Sequence, residues 1–113
     1  MKPKTKLISV CAAAAMLMLS TAYAWDGAVT GSIVTIDEVA NGPGNYDTRI
    51  YLGGSPVMCS GSAATWAYLN VSDPNYSAVV ASLMMAKVTR SQVTVYTNRD
   101  SGGYCHIGYL SIT

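Results

Sequence analysis

The length, composition and charge of the chain exclude several classes of protein. The chain has 113 residues, of which seven are Lys or Arg and six are Asp or Glu, so its formal net charge is +1 at pH 7. A chain of this length makes one small domain. Its scattered cations form no basic stripe, which binding to a nucleic acid or to an anionic lipid surface would require. We therefore expect neither of these partners.

Residues 1–24 have the three parts of an export signal. Three lysines precede an apolar run over residues 7–19, and Ala22-Tyr23-Ala24 supplies a small-x-small cleavage site. We expect cleavage before Trp25 and a secreted or periplasmic protein. A retained membrane anchor is the first alternative. However, a helix that spans a bilayer needs about 20 apolar residues, and this run is shorter. A lipid on Cys11 is the second, but too little apolar sequence precedes that cysteine.

Removal of this signal leaves residues 25–113 as one domain with two cysteines and a net negative charge. In an oxidising compartment we expect Cys59 and Cys105 to form a disulfide. Closing a loop of this length stabilises the fold by roughly 4 kcal/mol in the chain-entropy treatment. Two free thiols or a redox pair is the alternative, but redox centres commonly use a close Cys-x-x-Cys arrangement.

The first predicted strand covers Gly27–Val39 and is rich in β-branched residues. Its apolar alternation changes phase near Ile33-Val34. Because a one-residue slip turns every later side chain to the opposite face, we expect a bulge or a sharp coil there, with Gly31 supplying flexibility.

The second predicted strand, Thr48–Leu52, follows a turn-rich loop at Asn41–Asn45. Its alternation directs Ile50 and Leu52 inward and directs Arg49 and Tyr51 outward.

A third strand is predicted over about Ala63–Leu69, with Trp66 and Tyr68 on one face. The following Asp73-Pro74 predicts a helix start, with Asp73 as the cap, and the helix should run to about Val88. Its predicted buried stripe consists of Tyr76, Val79, Val80, Leu83, Met84 and Val88.

Two further strands complete the chain, Gln92–Thr97 and Tyr104–Ile112, joined by a hairpin loop. In the first of them, Val93 and Val95 are predicted to face inward, and Thr94 and Tyr96 are predicted to face outward. In the second, alternation groups Cys105, Ile107 and Tyr109 on one face and His106, Leu110 and Ile112 on the other.

Three strands, one helix and two strands is the element order of an OB-fold, a five-stranded Greek-key barrel. In that barrel the third and fifth strands are parallel neighbours. Cys59 precedes the third strand and Cys105 opens the fifth, so both sulfur atoms would lie at the same end. A general α+β sheet with a packed helix is the alternative.

The sequence contains no catalytic or metal-binding motif. His106 is the single histidine, no motif places a nucleophile near it, and on a strand it is typical of a barrel-end or surface residue. The acidic residues are isolated and form neither a His/Cys cluster nor a calcium loop. We therefore predict no cofactor and no enzyme activity.

The aromatic residues are the best indication of function. Residues 25–113 contain nine Trp and Tyr rings and no Phe, so every ring carries a polar group. Such rings stack on sugars and line partner interfaces, although most rings in a small barrel complete the core. Tyr51 and Tyr96, which are predicted to face outward, are the candidates for binding.

Several short motifs resemble the B subunits of subtilase-cytotoxin and typhoid-type toxins. The motifs lie within about residues 25–97 and are Trp25-Asp26-Gly27, Thr30-Gly31-x-Ile33, Cys59-Ser60 with Trp66 seven residues after Cys59, and Ser91-Gln92-Val93-Thr94-Val95-Tyr96. The resemblance implies a secreted OB-fold protein that forms pentameric rings and binds cell-surface glycans. It assigns the glycan-contacting serine of that family to Thr30, and it assigns a pocket tyrosine to Thr97, which has no ring.

The sequence thus leaves three hypotheses. The first is a ring-forming module that binds a glycan through Thr30, Trp66, Tyr96 and Tyr51. The second is a periplasmic interaction or stress protein, whose outward aromatic face caps another exported protein. The third is a small hydrolase, whose imidazole chemistry would depend on His106.

Overall fold

The computed structural model describes residues 24–41 and 44–113. Its elements are β1 Gly27–Glu38, β2 Thr48–Leu52, β3 Ala67–Leu69, α1 Tyr76–Thr89, β4 Gln92–Arg99 and β5 Cys105–Ile112. The predicted order of three strands, one helix and two strands is confirmed. The predicted export signal lies outside the described residues apart from Ala24, as do Gly42 and Pro43 of the predicted turn.

The five strands form a mixed sheet that closes in a ring in the order β1-β2-β3-β5-β4, with β4 returning to β1. Neighbouring strands are antiparallel except for β3 and β5, which are parallel. Buried residues from all five strands, among them Ile33, Ile50, Ala67, Val95 and Ile107, form one hydrophobic core. The helix lies between β3 and β4 in the chain, as predicted.

The long first strand is irregular where the alternation changes phase. Its register against β2 shifts between Ile33 and Thr35, which leaves Val34 in a bulge. Val34 is consequently exposed, whereas Ile33 is buried and Ile36 packs against the core. The predicted bulge is confirmed, and it lets one strand pair with β4 along its first half and with β2 along its second.

The last strand contains a second irregularity that the alternation did not reveal. Tyr109 pairs with Tyr96 and Ile107 pairs with Thr97, so Gly108 is left over as a bulge. Side chains beyond Gly108 therefore change faces. Tyr109 is 57% exposed and Leu110 packs against the core, so the predicted faces of both residues are wrong.

The core is built from the inward residues of the strands and from one face of the helix. Ile50 and Leu52 of β2 are fully buried, as the alternation predicts. The third strand begins at Ala67 rather than at about Ala63. Before it, the Ser62 hydroxyl donates to the Gly103 carbonyl and accepts from the Ala64 N–H, which holds this segment in a turn.

The helix starts later than predicted and has a different cap. It begins at Tyr76 after Asn75, which has a φ of 60° and makes no side-chain capping hydrogen bond. The predicted cap at Asp73 and helical start at Pro74 are therefore wrong. The Asp73 carboxylate instead accepts the backbone N–H of Asn70 and contacts the ring of His106.

The buried face of the helix is narrower than predicted. Leu83 and Ala86 are buried, whereas Met84 is 44% exposed and Val88 is 81% exposed. The prediction for Met84 and Val88 is therefore wrong. The helix is apolar on nearly every side, so helical spacing alone fits more than one buried face.

The predicted disulfide is confirmed. Cys59 and Cys105, which are 46 positions apart in sequence, are bonded, and their Cα atoms are 5.7 Å apart. Cys105 is also the residue of β5 that lies beside Ala67 of β3. The disulfide therefore joins the chain where the two parallel strands meet.

Candidate functional site

Outward side chains of β1, β4 and β5 form a surface of rings and hydroxyl groups, which we call the Tyr96 face. Tyr96 of β4 lies opposite Tyr109 of β5, and Thr94 of β4 lies opposite Thr30 of β1. Directly opposed residues of a sheet project to the same side. The Tyr96 face comprises Trp25, Thr30, Thr94, Tyr96, Tyr109 and Ser111.

Three aromatic rings form a row on this face. The ring centres of Trp25 and Tyr96 are 6.0 Å apart, and those of Tyr96 and Tyr109 are 5.2 Å apart with the rings nearly perpendicular. Trp25 is 39% exposed and Tyr109 is 57% exposed. Perpendicular and tilted contacts leave ring surface facing solvent, where it is available to a partner.

Trp25 is seated on the bulge of β5. A Cβ atom at Gly108 would overlap the indole ring of Trp25, so any larger residue there would displace it. The glycine that turns Tyr109 outward therefore also makes room for the first ring of the row.

The hydroxyl groups of the Tyr96 face lie beside the rings. The Oγ1 atoms of Thr30 and Thr94 are 2.7 Å apart and form a solvent-exposed hydrogen bond. Each hydroxyl can donate once and accept twice, so this pair retains capacity for further hydrogen bonds. Apolar ring surface beside hydroxyl groups matches the alternation of C–H and O–H groups on a sugar.

The predicted site residues do not all meet. Thr30 and Tyr96 share the Tyr96 face, whereas Trp66 belongs to a separate aromatic cluster and Tyr51 lies opposite Thr35 on the β1–β2 part of the sheet. Thr97, the position matched to a pocket tyrosine, is fully buried. Its hydroxyl donates to the Met58 carbonyl at 2.7 Å, so a ring there would point into the core.

Sequence reasoning did not select four residues of the Tyr96 face as site residues, namely Trp25, Thr94, Tyr109 and Ser111. Thr94 was predicted to face outward, and its alternation with Tyr96 could have identified it. Tyr109 was assigned to the wrong face because the bulge at Gly108 was not predicted. Trp25 precedes β1, so no strand periodicity indicated where its ring lies.

The second aromatic group, which we call the Trp66 cluster, consists of Tyr46, Arg49, Trp66, Tyr68 and Tyr104. The guanidinium of Arg49 lies 4.9 Å from the Trp66 ring centre, and Tyr104 stacks on that ring at 4.9 Å. The ring of Tyr46 makes edge-type, T-shaped contacts with the rings of Trp66, Tyr68 and Tyr104. These side chains contact one another closely, which favours a packing role for the cluster.

Tyr46 has an unusual backbone conformation, and its main chain makes two hydrogen bonds to side chains. Its φ is 65°, a region that non-glycine residues rarely adopt. Its N–H donates to the Asn70 side chain at 2.6 Å, and its carbonyl accepts from Arg49 at 3.3 Å. Desolvation, together with the negative charge of Asp100, raises the pKa of the Tyr46 hydroxyl.

A charged hydrogen bond lies beneath the Trp66 cluster. The hydroxyl of Tyr68 donates to Asp100 Oδ2 at 2.6 Å. Burial and this hydrogen bond raise the pKa of Tyr68 far above its ordinary value. Desolvation opposes ionisation of Asp100, but hydrogen bonds from Tyr68 and from the backbone N–H of Tyr104 are among those that outweigh it and lower the pKa of Asp100.

Two classes of feature are missing from the described ranges. Across residues 24–41 and 44–113, no three His, Cys, Asp or Glu side chains are grouped so that they could hold a metal ion. In the same part of the chain, no helix is both long and apolar enough to cross a bilayer.

Comparison with protein-family models, with curated proteins and with solved structures finds no match to this chain.

Proposed function

We propose that the chain is a secreted or periplasmic, non-catalytic module that binds a glycan through the Tyr96 face. The observation that carries this proposal is the row of Trp25, Tyr96 and Tyr109 beside the paired hydroxyls of Thr30 and Thr94. Rings pack against the C–H groups of a sugar, and hydroxyls exchange hydrogen bonds with its O–H groups. The face carries no charged side chain, which favours recognition of a neutral surface.

The proposed architecture is that of an OB-fold, a small Greek-key barrel. Four features support it: the strand order β1-β2-β3-β5-β4, the bulged and shared first strand, the parallel pairing of β3 with β5, and the helix between β3 and β4. The ring-forming assembly implied by the resemblance to toxin B subunits is part of the same proposal. The disulfide supports an oxidising location such as the periplasm or the extracellular medium.

The proposal is tested with the oxidised protein on a glycan array, followed by calorimetry on any glycan that binds. We expect Tyr96→Ala and Tyr109→Ala each to weaken binding roughly tenfold, because a stacking ring contributes about 1 to 1.5 kcal/mol. Thr30→Val, which keeps the shape and removes the hydroxyl, should also weaken it.

Tyr51→Ala is the matched control, because it removes an aromatic ring from outside the Tyr96 face. Binding that falls equally in Tyr51→Ala and Tyr109→Ala would remove the Tyr96 face as the site. A wild-type protein that binds nothing across the array would remove the glycan function altogether.

The helix favours a second candidate function, interaction with another protein. Met84, Met85 and Val88 are exposed, and Met85 is 63% and Val88 81% accessible. Adjacent exposed apolar residues are typical of surfaces that contact a partner. Another exported protein and a second copy of this chain are the two candidate partners. In either case the contact is made by the helix and not by the Tyr96 face.

A further inference from the structure

A pocket opens between β5 and the start of the helix, next to the Tyr96 face. Its volume is about 270 Å³, and its apolar walls come from Leu69, Val79, Ile107 and Leu110. Gly108 and Tyr109 line its rim. Because Tyr109 also belongs to the Tyr96 face, the pocket adjoins that face.

One corner of the pocket is polar and is formed by Asp73 and His106. The Nε2 atom of His106 lies 2.7 Å from Asp73 Oδ2. Since an ionised carboxylate only accepts hydrogen bonds, the imidazole N–H donates in this contact. The same oxygen accepts the Asn70 N–H at 2.8 Å, while Asp73 Oδ1 accepts no hydrogen bond from any residue that the structure describes.

The orientation of this polar corner is fixed by packing. The ring of His106 stacks on Tyr68 with ring centres 4.7 Å apart and an angle of 1° between the planes. Tyr68 is itself held by its hydrogen bond to Asp100. Asp73 is not used to cap the helix, because the residue before the helix is Asn75 and makes no side-chain capping bond. The carboxylate is therefore held in place with one oxygen available to a ligand.

The chemistry of the pocket selects the kind of ligand. A carboxylate oxygen accepts hydrogen bonds from hydroxyl groups and disfavours an anion. The apolar walls suit the C–H face of a small ring. The volume is slightly below the about 300–1,000 Å³ of pockets for drug-sized ligands, so it suits one ring rather than a chain of them.

We propose that this pocket binds a single neutral sugar ring of the glycan that lies across the Tyr96 face. This inference rests on the proposed glycan function and deepens it by naming the sugar class. Asp73 accepts a sugar hydroxyl, His106 holds the carboxylate in place, and the apolar walls contact the C–H face. Sugars that carry a carboxylate, such as N-acetylneuraminic acid, are disfavoured by the charge of Asp73.

The test is titration of isotope-labelled, oxidised protein, followed by amide NMR. The probes are methyl galactoside, methyl glucoside, N-acetylglucosamine and N-acetylneuraminic acid, each added alone. We expect at least one neutral sugar to shift the amide signals of Leu69 and Asn75, which line the pocket away from the Tyr96 face, and the acidic sugar to shift them more weakly. Asp73→Asn should weaken binding of the neutral sugar by ~10-fold, because a charged hydrogen-bond acceptor is replaced by a neutral one.

Val79→Phe is a second variant that keeps the proposal falsifiable if Asp73→Asn does not fold. It fills the pocket from the helix and leaves every residue of the Tyr96 face unchanged, so it should abolish the shifts at Leu69 and Asn75. Thermal unfolding of both variants checks that the fold is retained.

The outcomes separate this inference from the proposed function. Glycan binding with unchanged affinity in Val79→Phe, and with shifts confined to the Tyr96 face, overturns the pocket and leaves the glycan function standing. Tighter binding of N-acetylneuraminic acid than of the neutral sugars in the pocket overturns the charge argument. A wild-type protein that binds no glycan on the array and no sugar in the titration overturns both the pocket and the glycan function.

Discussion

At the scale of single residues, Tyr68 is a buried tyrosine that is hydrogen-bonded to a charged carboxylate. It is 4% exposed, and its hydroxyl donates to Asp100. Hydrogen bonds to a charged group contribute about 1.5–3 kcal/mol. We expect Tyr68→Phe to lower the free energy of unfolding by about that amount near neutral pH, measured by urea denaturation. Tyr51→Phe, which alters an outward tyrosine of β2, is the control and should leave it nearly unchanged.

Burial of Tyr68 and its hydrogen bond to Asp100 together make stability depend on pH. The pKa of Tyr68 is raised on folding, so its contribution is fully present below the ordinary value of 10.0 and is lost as the pH rises above it. The pKa of Asp100 is lowered, so its contribution is present above the ordinary value of 3.8 and is lost as the pH falls below it. Tyr68→Phe should flatten both limbs of the stability profile. A variant with the same alkaline and acid slopes as wild type would contradict this account.

At the scale of elements, two bulges determine which side chains face out. The bulge at Val34 was visible in the sequence because apolar residues on both sides of it changed phase. The bulge at Gly108 was not visible, because Tyr109 and Leu110 are both compatible with either face. One undetected bulge residue in β5 was enough to move Tyr109 from the face of Cys105 and Ile107 to the candidate site.

The helix gives a prediction that distinguishes its two faces. Leu83 is fully buried, so Leu83→Ala should lower the free energy of unfolding by about 2–5 kcal/mol. Val88 is 81% exposed, so Val88→Lys should change it by no more than about 0.5 kcal/mol. Chemical denaturation of the two variants measures both values.

Light scattering on the same two proteins tests the interaction role of the helix. If the exposed face of Met84, Met85 and Val88 joins copies of the chain, Val88→Lys should reduce the assembled fraction without unfolding the monomer. Destabilisation by Val88→Lys as large as that by Leu83→Ala would mean that this face is covered rather than exposed.

At the scale of the whole molecule, local patterns predicted the element order and long-range contacts determined the rest. Strand alternation predicted the burial of Ile50 and Val93, and the cysteine count predicted the disulfide. The site was predicted only in part. Thr30 and Tyr96 lie together because β1 pairs with β4 in one particular register, and nothing within either segment specifies that register. Trp66 lies elsewhere because the turn before β3 brings it to Tyr46 and Tyr104.

The closure of the ring depends on the short pairing of β3 with β5, which we call the seam. Among the described strands, β3 pairs with β5 only at Ala67–Cys105 and Tyr68–His106, and the disulfide is attached at the first of these pairs. Separation of this seam would open the ring and release the stacking of His106 on Tyr68 that orients Asp73. The disulfide is therefore expected to support both the fold and the pocket.

Removal of the disulfide tests this connection. Because the cysteines are 46 positions apart in sequence, the loop-entropy treatment gives a loss of roughly 4 kcal/mol in the reduced protein. Both cysteines are buried, so Cys59→Ala with Cys105→Ala is the variant that adds no buried hydroxyl, and it should match the reduced wild type in urea denaturation. Hydrogen exchange should accelerate first at Ala67–Leu69, because these amides lie beside the seam, and much less in β1 and β4.

An intact mass spectrum of the exported protein reports its first residue and its thiol state together. Two free thiols in that spectrum, or equal stability of the oxidised and reduced forms, would show that the seam is held by packing alone.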